Sequence, residues 1–252
     1  MPDFNDLLRE FNRDGLSAIS LDRIKHAVNQ GGLGQVGEQL RSAFGGEDML
    51  EKAKDLIAKG DKRMIGGIGA ALGVLLGGGV KGGIGGAALA LLGLTAYNAL
   101  NKGKSIQEKI ADRRAADLPV GMRPPATVEE ASTLERQALL TLRAMVAAAK
   151  ADGQIDQRER ERILDRLKDA GADDEIQAFV AREAAAALDL DALVRDVPDR
   201  QTAAQVYAAS LLAIKVDTPA ERSYLRALSR KLGLDAQVVA NLHQVLGAPT
   251  VA

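Results

Sequence analysis

An all-α fold is what this sequence predicts, and three observations predict it. Ala, Leu and Arg dominate outside one glycine-rich tract, and these side chains lose little rotamer freedom in a helix. Apolar residues recur at three- and four-residue spacing. Leu134, Ala138, Leu142, Met145, Val146 and Ala149 fall on one helical face, and so do Tyr224, Leu225, Leu228 and Leu232. No run alternates apolar and polar residues as a half-buried strand does.

Four zones follow along the 252 residues. Residues 1–63 are polar and weakly amphipathic. "NQGGLGQVG" (29–37) and "FGGEDM" (44–49) interrupt them, so short helices with flexible joints are expected. Residues 64–101 are glycine-rich and apolar. Residues 102–126 begin as a charged helix and end in "PVGMRPPA" (119–126), whose adjacent prolines and glycine mark a linker and domain boundary. Residues 127–248 form compact amphipathic helices, about 120 residues and enough for a core of their own. The opening "MPDFNDLLREFNRDGL" has neither a basic n-region nor an apolar h-region, so a cleaved secretory signal is not expected.

Composition removes several classes of function. With no Cys, thiol catalysis, disulfides and Cys-bound metal are excluded. A net charge of −1 supplies no bulk field for nucleic acid, and none is expected as a partner. "RERER" (158–162) and "DRRAAD" (112–117) mix signs and read as solvated faces. His26 and His243 have no ligand-like spacing and read as surface or half-buried residues. Ser17, Ser132 and Ser210 lack any nucleophile-elbow context.

The stretch 65–94 carries 12 of the 26 glycines and one charge, Lys81. Gly77, Gly79 and Gly82 satisfy G-x-G-x-x-G, but no strand precedes them, and Lys102 stands where an acid is needed. "GKS" at 103–105 resembles the end of a Walker A loop, yet Asn98 stands at its first glycine. A flexible linker would be polar rather than rich in Ile, Leu, Val and Ala. Insertion into lipid fits better. Residues 64–80 are 17 uncharged residues and 82–101 are 20, and a span needs about 20. Gly69, Gly73 and Gly77 recur every four residues, as do Gly78, Gly82, Gly86 and Ala90. That spacing lets helices approach closely in lipid, so a homo-oligomer through this tract is an expectation.

Lys52, Lys54, Lys59, Lys62 and Arg63 precede the tract; Lys102, Lys104, Lys109, Arg113 and Arg114 follow it. Because basic residues favour the cytoplasmic side, this symmetry predicts a hairpin with both ends inside and "GGGVKGG" (77–83) as its turn. A single span, or a glycine-rich helix pair buried within a soluble assembly, are the alternatives.

The chemistry concentrates in "VAAAKADGQIDQRERERIL" (146–164) and "LLAIKVDTPAERSYLRAL" (211–228). Lys150-Ala151-Asp152 matches Lys215-Val216-Asp217. Glu159 with Ile163 matches Glu221 with Leu225 after a shortening of three residues. Each unit reads as a helix, an Asp-bearing turn and a Glu-starting helix, so the region is a degenerate duplication. Two roles fit the acids. Thr218-Pro219-Ala220-Glu221 has the form of a capping box, and Asp156 with Glu159 can cap the earlier helix. Asp152 and Asp217 fit capping less well. If the two turns converge, they present oxygens suited to magnesium, calcium or manganese. The loop is not an EF-hand, because Gln157 and Ile163 fall where that loop needs Gly and Glu.

The turn "AKADGQIDQRE" (149–159) and its echo "VDTPAE" (216–221) resemble those of TerB-like (tellurite-resistance) helical domains. With the glycine-rich segment upstream, the chain resembles the YebE-type bacterial inner-membrane proteins of unknown function. The resemblance implies an all-α domain at the inner (cytoplasmic) membrane, with the C-terminal domain in the cytoplasm. It also implies a metal role for Asp152, Asp156, Glu159, Asp217 and Glu221, and a link to envelope or metal stress. The expectation is a non-enzymatic, membrane-anchored helical module that binds a protein partner or a divalent cation. A metal-dependent enzyme using the acidic turns and a soluble oligomerising scaffold are the competing readings.

Overall fold

The computed structural model describes residues 92, 93, 95–100, 127–153, 155, 157–169, 172 and 174–251. The two-arm hairpin expected over 64–101 lies mostly outside them, as do residues 1–63 and the boundary at 119–126. Among the described residues there are helices and turns and no strand, so the fold is all-α.

Among the described residues from 127 onward, seven helices follow one another: α1 (Val128–Ala149), α2 (Gln157–Asp169), α3 (Asp174–Ala185), α4 (Leu190–Arg195), α5 (Arg200–Ala213), α6 (Pro219–Lys231) and α7 (Ala236–Val245). Their starts are written locally. Thr127, Asp189, Asp199 and Asp235 each accept a hydrogen bond from a backbone N–H three residues on, at 3.2, 2.9, 2.7 and 2.8 Å. Each thereby satisfies a donor that the first turn leaves without an intrahelical partner. At the α6 end, Gly233 takes φ 64°, the left-handed conformation that a helix C-terminus commonly needs.

The core is built around α5, in which every residue from Thr202 to Ala213 is buried. Its alanines let α1 pack closely along its length, while α6 and α7 pack elsewhere on it. Both predicted stripes face the core, Leu134 at the start of the first being only half-buried. Ala138, Leu142, Met145 and Val146 of α1 and Tyr224, Leu225 and Leu228 of α6 are buried in this one cluster, with Ala149 and Leu232 half-buried against it. On the surface, Arg143 of α1 ties α3 and the end of α4 together through Glu183 (3.2 Å) and Asp196 (2.8 Å).

Helical residues 92, 93 and 95–100 join the same core. By sequence they close the apolar tract; in the structure Leu92, Ala96 and Ala99 are buried in one cluster with α5 and α7. Gln201 of α5 donates to the Gly93 carbonyl at 2.7 Å, and Asn241 of α7 donates to the Ala99 carbonyl at 2.9 Å. No helix among the described residues is long and apolar enough to cross a membrane.

Candidate functional site: the two acidic turns

The duplication in sequence is a parallel helix pair in space. Gln137 of α1 hydrogen-bonds Thr202 of α5 at 3.4 Å, an offset of 65 residues. Ser210 of α5 donates to the Ala144 carbonyl of α1 at 3.3 Å, an offset of 66. The contacts advance in the same direction on both helices, so α1 and α5 run parallel. The offset is also that of the repeat, since Lys150 and Asp152 correspond to Lys215 and Asp217. Both Asp-bearing turns therefore leave the same end of the pair.

At that end the two turns are built differently. After α1, Lys150 is buried and its ammonium donates to the carbonyls of Glu183 (2.6 Å) and Ala186 (3.0 Å). It closes the C-terminal end of α3, where orphan carbonyls favour a cation. Burial holds its pKa below the ordinary value of 10.5; nearby Glu183 opposes this and Arg143 adds to it. Its counterpart Lys215 is exposed. After α5, Val216 takes φ 65° with its side chain buried. A β-branched residue in that region is strained, by about 1–3 kcal/mol. The first turn of α6 holds it there. Arg222 donates to the carbonyls of Val216 (3.3 Å) and Asp217 (3.0 Å).

Glu221 has a structural role. One carboxylate oxygen accepts from the backbone N–H of Asp217 and of Thr218, each at 3.0 Å, and from the Thr218 hydroxyl at 3.1 Å. The Glu221 N–H returns a bond to the Thr218 hydroxyl oxygen at 3.1 Å, completing the capping box. Glu221→Ala is expected to cost about 1–2 kcal/mol, since it strips a half-buried turn of its acceptor. Urea unfolding of the full chain measures it. A cost no larger than that of Asp217→Ala would mean that the box does not hold the turn.

Asp152 and Asp217 are exposed at the shared end. Glu159 falls within α2; its side chain and the whole of Asp156 lie outside the described residues. Among the described residues no group of three or more His, Asp or Glu side chains is arranged to hold a metal ion.

Other polar groups form internal ties. His243 is fully buried, not half-exposed. Its Nε2 lies 2.9 Å from the Tyr207 hydroxyl, and the rings are tilted at 5.9 Å between centroids. Ser210 pairs with the Tyr224 hydroxyl at 3.0 Å, and both reach the Ala144 carbonyl. Spacing within one helix could not have revealed these pairs, because each joins two different helices.

A duplicated, all-helical module with two acidic turns at one end is the class that this fold and site define. The chain belongs to the family described as protein of unknown function DUF533, whose model matches residues 59–246. That family is TerB-like, in line with the resemblance carried by the turns. An uncharacterized protein in the ampR 5′ region of Yersinia enterocolitica is 28% identical over 120 residues, covering 48% of this chain and 86% of that protein. No solved structure matches the chain.

Proposed function

We propose that this chain is a non-enzymatic, membrane-anchored helical module whose acidic end binds a divalent cation or the basic surface of a protein partner. The observation that carries this reading is the parallel α1–α5 pair, which brings the two turns to one end and leaves Asp152 and Asp217 exposed there. The buried hydroxyls of Tyr207, Ser210 and Tyr224 and the one described histidine are engaged in helix-to-helix ties, which suits a scaffold. The anchor is the apolar tract, supported by its two uncharged runs and its small-residue spacing. Oxygen ligands alone favour magnesium, calcium or manganese.

Melting curves of the full chain, first with chelator and then with each cation, test the cation. A cation bound only by the native state at a hundred times its Kd adds about 2.7 kcal/mol. Asp152→Ala and Asp217→Ala are expected to abolish that gain. Identical curves with chelator and with all three cations would eliminate the cation and leave the protein partner. Alkaline carbonate extraction of membranes tests the anchor, and full release of the chain would refute it.

A further inference from the structure

We infer that the α5–α7 surface is a seat for the C-terminal end of the apolar tract. It ties the helical domain directly to the anchor, so that the tract crosses the bilayer once rather than folding back as a hairpin. The inference rests on the membrane reading above. Its own ground is the packing of residues 92–100.

Those residues are held at two points. Gln201, at the start of α5, donates to the Gly93 carbonyl at 2.7 Å; Asn241, within α7, donates to the Ala99 carbonyl at 2.9 Å. The two carbonyls lie six residues apart in the chain. Between the grips, Thr95, Ala96 and Tyr97 are buried, with Leu92 and Ala99 at either end. Asn241 is itself buried, and Gln237 donates to its side-chain oxygen at 3.1 Å. Moving 92–100 into lipid would strip buried Asn241 of its acceptor and open the core where Leu92, Ala96 and Ala99 now sit, both of which are costly.

Chain length then sets the number of crossings. With 92–100 seated, the second uncharged run shrinks from 20 residues (82–101) to ten (82–91), too few to span. The first run, 64–80, keeps its 17 residues, near the lower limit for one crossing. Lys81 follows it, where a long basic side chain can reach the interface. The linker at 102–126 is therefore not the joint between anchor and domain, because the chain already meets the domain at 92.

The full chain has no cysteine, so introduced thiols report cleanly. Pair Gly93→Cys with Gln201→Cys, and Ala99→Cys with Asn241→Cys, in chains held in sealed membrane vesicles. Treat them with a short bifunctional thiol reagent. Separately, label Ser17→Cys and Thr250→Cys, which do not disturb the seat, with a reagent that cannot cross the bilayer. Expected are an intramolecular cross-link in at least one pair, lost in strong denaturant, and labelling of the two single thiols from opposite faces. Labelling of both from one face, in chains retained by the membrane, would overturn the single crossing. Absence of a cross-link in both pairs, again in retained chains, would overturn the seat. Release of the wild-type chain by carbonate would remove the membrane reading itself, and the crossing with it, whatever the cross-link shows.

Discussion

Tyr207→Ala is expected to cost the folded chain about 3–5 kcal/mol, the range for truncating a large buried aromatic side chain. Tyr207 is fully buried at the middle of α5, the helix on which α1, α6 and α7 all pack. The substitution removes the ring from the centre of the core, where its neighbours can close in only partly. It also takes away the hydroxyl 2.9 Å from His243, leaving that buried nitrogen without this bond. Tyr207→Phe separates the two contributions, since it keeps the ring and loses the hydroxyl, and should cost about 1–2 kcal/mol. Equilibrium urea unfolding of the full chain measures both. A cost below about 1 kcal/mol for the alanine variant would place Tyr207 outside the core.

Stability is expected to fall steeply as pH rises above about 10, where free phenols begin to ionise. Burial holds Tyr207 and Tyr224 well above the ordinary value of 10.0; the neighbouring Tyr224 adds to the rise at Tyr207, and the Ser210 bond partly offsets it at Tyr224. Between the ordinary and the folded pKa the native chain keeps phenolic protons that the unfolded chain has lost. The native state then binds more protons, so the stability present below about pH 10 is lost as pH rises. Lys150 acts the other way. Its folded pKa is lowered, so the unfolded chain binds the extra proton and stability rises with pH just below 10.5. Two phenols with large shifts outweigh one ammonium, and the net change is a loss. Urea midpoints taken from about pH 8 to about pH 11.5 should fall, and Tyr224→Phe should flatten the decline. A flat profile for the wild-type chain would mean that neither phenol is buried as described.

Much of the helical domain was legible because its signals are local. Thr218, Pro219 and Glu221 specify a helix start through bonds that reach three residues along the chain, and the structure forms that box atom for atom. The stripe Ala138, Leu142, Met145 predicted the buried face of α1 for the same reason, since helical periodicity alone puts those residues on one side. The burial of His243 is not legible in the sequence, because a single histidine on a helix carries no sign of what packs over it. What buries it is α5, some 36 residues away, through Tyr207. The repeated lysines were equally opaque. Lys150 and Lys215 stand at matching places in the repeat, yet only Lys150 has the end of α3 beside it to take up its ammonium.

The sequence by itself determined the helix-forming segments, their caps, the duplication and the apolar character of 64–101, because each depends on bonds or periodicities within a turn or two of chain. Tertiary packing alone decided three things. It decided that the duplicated helices lie parallel, so that Asp152 and Asp217 share an end. It decided that Glu221 spends its carboxylate on a turn strained at Val216. And it decided that residues 92, 93 and 95–100, which read as the close of a lipid-seeking tract, pack with the core of the helical domain. Apolar side chains favour leaving water without specifying where they go. Two side-chain amides, Gln201 and Asn241, lie more than a hundred residues away in the chain and meet those backbone carbonyls only after folding.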